Sequence, residues 1–280
     1  MENVLFAFIL TLLAGLSTGV GSLIAFFSKK GNTKFLAVSL GFSAGVMIYV
    51  SLIEIFTKAK ETLSASFGEK AGTLITIAAF FAGMLFIAII DKVIPGDKNP
   101  HEVHEATQIE FSSKSGSTHV DSSSEKEKKN AKLMRTGIFT ALAIAIHNFP
   151  EGLATFVSAL QEPTLAIPIV VAIAIHNIPE GIAVSVPIFY ATGNRKKAFL
   201  YSFLSGLSEP LGAVIGYLIL MPFINDSVYG ILFAVVAGIM VFISFDELLP
   251  SARAYGEHHL SIYGLVGGMA MMAISLWLFM

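Results

Sequence analysis

The residues with chemistry to offer are a His, an Asn and a Glu that occur twice in the same order. Residues 143–152 read AIAIHNFPEG and residues 172–181 read AIAIHNIPEG. Each copy sits inside an apolar run of membrane-span length, where a His, an Asn and a Glu are costly unless they face a cavity, a partner or an ion. On a helix, positions i, i+1 and i+4 lie at about 0°, 100° and 40° around the axis. His147 and Asn148 therefore flank Glu151, and His176 and Asn177 flank Glu180. Each carboxylate stands between a nitrogen ligand and an amide oxygen, which suits a group bridging two neighbouring cations.

Pro150 and Pro179 extend the pattern. Neither has an N–H, so the carbonyls of Ile146 and Ile175, four residues back, lose their helical donors. Freed carbonyls at membrane depth are tolerated where they line an enclosed or water-filled path. A single intramembrane His or Asn serves as readily as a hydrogen-bonding group between helices. The same string at equal depth on adjacent spans points instead to one shared site.

The elements that must position these groups are membrane helices. The chain is 54% hydrophobic and 14% charged, with a mean hydropathy of +0.73. A span needs about 20 apolar residues, and eight runs qualify: 3–27, 34–56, 71–91, 135–158, 165–189, 198–220, 227–249 and 260–280. The expected fold is an all-α polytopic membrane protein, one transmembrane domain over residues 1–280. The first run, opening Met-Glu-Asn without a basic stretch, reads as a retained span and not as a cleaved signal peptide. The net charge of −2 and the lack of a basic domain give no reason to expect a nucleic-acid partner. The absence of Cys excludes disulfides and thiolate metal sites.

Lys and Arg set the expected orientation. Lys29, Lys30 and Lys34, then Lys92 to Arg135, then Arg195 to Lys197, then Arg253 follow spans one, three, five and seven. That bias puts these connections in the cytoplasm and both termini outside the cell membrane. No Lys or Arg falls in mid-span, whereas Glu54, Glu151, Glu180, Glu209, Asp246 and Glu247 fall within or near the ends of spans. Buried charge of one sign asks for a cation.

Along the chain, Glu54 fits either an outer-vestibule carboxylate or an interfacial group beside Lys58, and Asp91 either an ion pair with Lys92 or an exit-path group. Residues 97–131 are polar and Ser-rich, which makes a flexible cytoplasmic loop the expectation. His101, His104 and His119 within it are scattered, and fit incidental residues better than a capture site. Counting about 1.5 Å per residue, His147, His176 and the segment SGLSEP (205–210) reach the same depth from opposite sides. Glu209 there again stands beside a proline, Pro210. Asp246 and Glu247, in FDELLP (245–250), reach the cytoplasmic end, either solvated or at an inner exit.

The paired HNxPEG spans, SGLSEP and FDELLP together resemble the ZIP family of divalent-metal transporters, over essentially the whole chain. The resemblance implies spans 1–3 and 6–8 as inverted halves around spans 4 and 5, a homodimer, and uptake toward the cytoplasm. It also implies a binuclear centre. One metal takes His147, Glu151, His176 and Glu180; the other takes Asn148, Asn177 and Glu209, with Glu151 and Glu180 bridging. Imidazole with carboxylate suits Zn²⁺ and Fe²⁺, the oxygen-rich amide–carboxylate side tolerates harder ions such as Mn²⁺, and broad use of Zn²⁺, Fe²⁺, Mn²⁺ and Co²⁺ is expected. The metals are cargo, and no catalytic cofactor is expected. No GxxxxGK[ST] supports ATP hydrolysis, and no HExxH supports the competing class, an intramembrane metallohydrolase. The expected function is alternating-access uptake of these ions, with the bilayer as solvent and no enzymatic step.

Overall fold

The computed structural model describes residues 2–27, 33–93, 122–161, 163–223, 225–254 and 258–278, and every regular element among them is helical. In order these are α1 (Glu2–Phe27), α2 (Thr33–Tyr49), α3 (Phe56–Phe67), α4 (Glu69–Val93), α5 (Ser122–Gln161), α6 (Pro163–Thr192), α7 (Arg195–Gly206), α8 (Ser208–Ile215), α9 (Asp226–Ile243), α10 (Leu249–Ala254) and α11 (His258–Leu278). Wider, π-helical turns follow α2 (Val50–Ile55), α8 (Gly216–Leu220) and α9 (Ser244–Leu248).

Among the described residues, seven stretches are long and apolar enough to cross a membrane: Asn3–Leu23, Ala37–Phe67, Glu69–Ile90, Ile167–Thr192, Arg195–Ile219, Asp226–Arg253 and His258–Leu278. They match every expected span except the fourth, which lies within α5. That helix is long enough, but Thr140, Thr155 and Ser158 join His147, Asn148, Pro150 and Glu151 in diluting its apolar character. Span five carries the same motif among Ile167, Ile169, Val170, Val171 and Ile173. The chain is an all-helical polytopic membrane protein.

Three boundaries differ from expectation. Span two does not end near residue 56: helix continues to Phe67, because no Gly or Pro interrupts it before Gly68. Gly68 turns the chain at φ 85°, a conformation that favours glycine. Span six is interrupted at Leu207. Pro210 cannot donate to the carbonyl of Gly206, four residues back, so the helix stops and restarts. The polar stretch 97–131 is helical from Ser122 onward. The rest of it, with His101, His104 and His119, lies outside the described residues, as does the side chain of Asp91.

The helices sort into two groups by packing. α1 packs on α5, α6, α7 and α8, and α5 and α6 pack on each other; α2 packs on α10 and α11, and α4 on α3 and α9. The groups meet where α2 lies on α6 and α9 on α5. Inside the first group the helices touch backbone to backbone. A side chain at Gly181 would strike the Thr18 carbonyl, and one at Gly21 would strike that of Ile178. Gly152 and Gly212 stand the same way to Glu209 and Phe149.

Candidate metal site

α5 and α6 run unbroken through Pro150 and Pro179, so each HNxPEG string is presented from a helical face, and the glycine contacts draw those faces toward α1 and α8. Here the two copies exchange partners. His147 Nε2 lies 3.3 Å from Glu180 Oε1 and 3.7 Å from Glu151 Oε2, while His176 Nε2 lies 3.0 Å from Glu151 Oε1. Asn177 Nδ2 donates to the Ala14 carbonyl at 3.0 Å, and also to Glu209 Oε1. Glu209 is within electrostatic reach of Glu151 and Glu180. Asn148 is buried with the rest.

All seven side chains are at most 2% exposed, yet much of their hydrogen-bonding capacity is unused. Apart from the His–Glu contacts just given, both carboxylate oxygens of Glu151 and Glu180, Oε2 of Glu209, Oδ1 of Asn177, both polar atoms of Asn148 and the ring nitrogens of both His lack a hydrogen-bond partner within the protein. Buried polar groups are nearly always satisfied, and leaving one unmade costs about 1–3 kcal/mol. The cluster therefore keeps many donor and acceptor atoms that the protein itself does not use. Among the described residues no three His, Asp or Glu side chains already converge on a point that would hold an ion; the contacts run as a chain, Glu180 to His147 to Glu151 to His176.

Toward the side of Thr155, the cluster abuts a cavity too small for more than one water molecule, lined by Ile55, Ile169, Ile173, Phe233 and Met240. On span seven, Glu247 is buried and acts electrostatically on His147. Its burial sets aside the solvated position that the sequence allowed. Asp246 and Glu54 are only partly buried. Sequence reasoning missed two contributors, the Ala14 carbonyl and Ser43, whose Oγ donates to the His176 carbonyl at 3.2 Å. A backbone acceptor leaves no mark in a sequence, and Ser43 is one of many small residues in its span.

The two asparagines therefore differ in what they hold. Asn177→Ala removes two donated hydrogen bonds linking α6 to α1 and α8, and is expected to destabilise the fold by about 1–3 kcal/mol. Asn148→Ala breaks no hydrogen bond inside the protein and is expected to leave the melting temperature nearly unchanged. Thermal unfolding of both variants in detergent measures the difference.

A polytopic helical membrane protein with a buried polar cluster shared by neighbouring helices is the class that fold and site define. Residues 93–276 match the family model described as ZIP Zinc transporter, and the chain belongs to that family. It is 66% identical over 281 residues to "Zinc transporter ZupT" of Clostridium perfringens, covering 100% of this chain and 98% of that protein. The identity to the Streptococcus mutans protein of the same name is 62%, covering 99% of each chain. To that of Corynebacterium efficiens it is 54%, covering 99% of this chain and 98% of the relative.

Proposed function

We propose that this chain carries Zn²⁺, and with it Fe²⁺, Mn²⁺ and Co²⁺, across the cell membrane into the cytoplasm through the site shared by spans four, five and six. The observation that carries this reading is the unsatisfied buried cluster itself. Three carboxylates, two imidazoles and two amides face one another with no Lys or Arg paired to them in the ion pairs described. A divalent cation answers both the missing hydrogen bonds and the buried negative charge. Membership of the ZIP family and relatives named as zinc transporters support zinc in particular.

The spacing supports it as well. Ligands held 2.0–2.2 Å from a tetrahedral Zn²⁺ stand about 3.3–3.6 Å apart, and the three imidazole–carboxylate separations, 3.0, 3.3 and 3.7 Å, bracket that edge. His147, Glu151, His176 and Glu180 form the first ion site. Asn148, Asn177 and Glu209 form the second, with Glu151 and Glu180 bridging. Both ions are substrate, and the chain performs no catalysis. Repulsion between two neighbouring ions, or protonation of a bridging Glu, helps release.

Transport is by alternating access: the group α1, α5, α6, α7 and α8 carries the site against the group of α2, α3, α4, α9, α10 and α11. The inverted relation of spans 1–3 to spans 6–8 draws support from packing. Gly21 on Ile178 and Gly181 on Thr18 recur in span six and span four as Gly212 on Phe149 and Gly152 on Glu209. The termini lie outside, and the protein is a homodimer. The test is Zn²⁺ influx into liposomes holding the purified protein and a trapped metal-sensitive dye. Influx is expected, and binding without influx would point to a sensor.

Metal choice follows from the donor set. With no thiolate to favour one soft ion, competition assays are expected to show Fe²⁺, Mn²⁺ and Co²⁺ each reducing ⁶⁵Zn²⁺ uptake. Strict indifference to all three would contradict the ligand assignment.

A further inference from the structure

We infer that Ser43 is a positioning residue for transport, acting through the backbone of His176 and tying metal affinity to the relative placement of the two helix groups. The inference rests on the transport reading above. Ser43 is fully buried on α2, and its Oγ donates to the His176 carbonyl on α6 at 3.2 Å. That hydrogen bond crosses from one helix group to the other. It lands on the turn of α6 that Pro179 weakens: the neighbouring carbonyl of Ile175 has no helical donor there. A hydroxyl from outside the helix steadies the one backbone unit that aims the His176 imidazole at Glu151, 3.0 Å away.

Ser43 is firmly mounted to do this. Gly41 and Gly45, on the opposite face of α2, let the Ser261 and Leu265 carbonyls of α11 approach their backbone directly. α2 is thus pinned to α11 on one side and offers the hydroxyl on the other. Span seven repeats the mounting without the hydroxyl. Gly238 meets the Phe80 carbonyl of α4, and two residues before it, where span two has Ser43, stands Val236. Val236 lines the small cavity beside Glu151. The fifth-span half of the site is fastened across the groups, and Val236 offers the fourth-span half no such donor. When the groups slide, the hydrogen bond is lost, His176 loosens, and the ion is held less tightly on the side where it must leave.

The test is initial-rate Zn²⁺ influx in liposomes for wild type, Ser43→Ala and Ser43→Thr, with thermal unfolding of each. Ser43→Ala is expected to raise KM for Zn²⁺ about two- to tenfold, the range set by one net hydrogen bond, without lowering Vmax, since that bond must break in every cycle. Ser43→Thr, which keeps the hydroxyl, is expected to return KM to within about twofold of wild type. An unchanged KM in Ser43→Ala overturns the inference. So does equal impairment of both variants, which would mark a packing role. If wild type admits Zn²⁺ while Ser43→Ala matches it, this inference fails alone; no influx by wild type overturns the transport reading with it.

Discussion

Glu180→Ala is expected to abolish Zn²⁺ influx, to below about one-hundredth of wild type, while the protein still inserts and folds. Supporting groups that only orient a ligand are worth 10–100-fold in metal affinity, and Glu180 stands closer to the ion than that. Its carboxylate is fully buried, 3.3 Å from the His147 imidazole, with neither oxygen hydrogen-bonded inside the protein. In the proposed arrangement it is a ligand to one ion and a bridge to the other, so its removal weakens both positions. The change also removes the 3.3 Å contact with the buried His147, so a lower melting temperature is expected beside the loss of flux. Flux assays on reconstituted, correctly inserted protein separate the two effects. Uptake equal to wild type would remove Glu180 from the path.

The second large effect is expected at Gly181. A Cβ there would meet the Thr18 carbonyl head on and crowd Ser202 Oγ, itself bonded to the carbonyls of Thr18 and Gly181. Backbone on both sides cannot turn aside as a side chain can, so α1 and α6 must separate. Overpacking of this kind costs about 1–3 kcal/mol, and the shift moves Glu180, the adjacent residue, away from His147. Gly181→Ala is expected to lower both the melting temperature and Zn²⁺ influx. Gly267→Ala is the matched control, since its Cβ would meet nothing within 4 Å. It should leave stability unchanged or raise it by up to about 1 kcal/mol, the helix preference of Ala over Gly. Equal behaviour of the two variants would show that close approach at Gly181 is not what holds the helices together.

The doubled HNxPEG string, with Glu209 of SGLSEP, made the centre of the molecule readable, because seven polar side chains at one depth of apolar helices are costly unless they meet. The apolar runs gave the spans, apart from their ends. The extension of span two to Phe67 was hidden because Lys58, Lys60 and Glu61 look like a loop to hydropathy, although nothing in their backbone stops a helix. The short break at Leu207 was half legible, since Pro210 announces it without fixing the residue. Spacing on one helix put each Glu beside the His of its own copy. The shorter contacts run crosswise instead, His147 to Glu180 and His176 to Glu151. That pairing depends on how α5 and α6 face each other, which glycine contacts with other helices decide. The Ala14 carbonyl and Ser43 escaped for a related reason: their part depends on which helix lies opposite, and no local pattern carries that.

The most direct measurement of the central claim is anomalous scattering at the zinc absorption edge from crystals of the protein grown with Zn²⁺. The account predicts a peak between α5, α6 and α8, about 2.0–2.2 Å from the Nε2 atoms of His147 and His176 and from oxygens of Glu151 and Glu180. A second peak is expected beside Asn148, Asn177 and Glu209. Zinc bound elsewhere, with these seven side chains left facing one another and no ion among them, would contradict it.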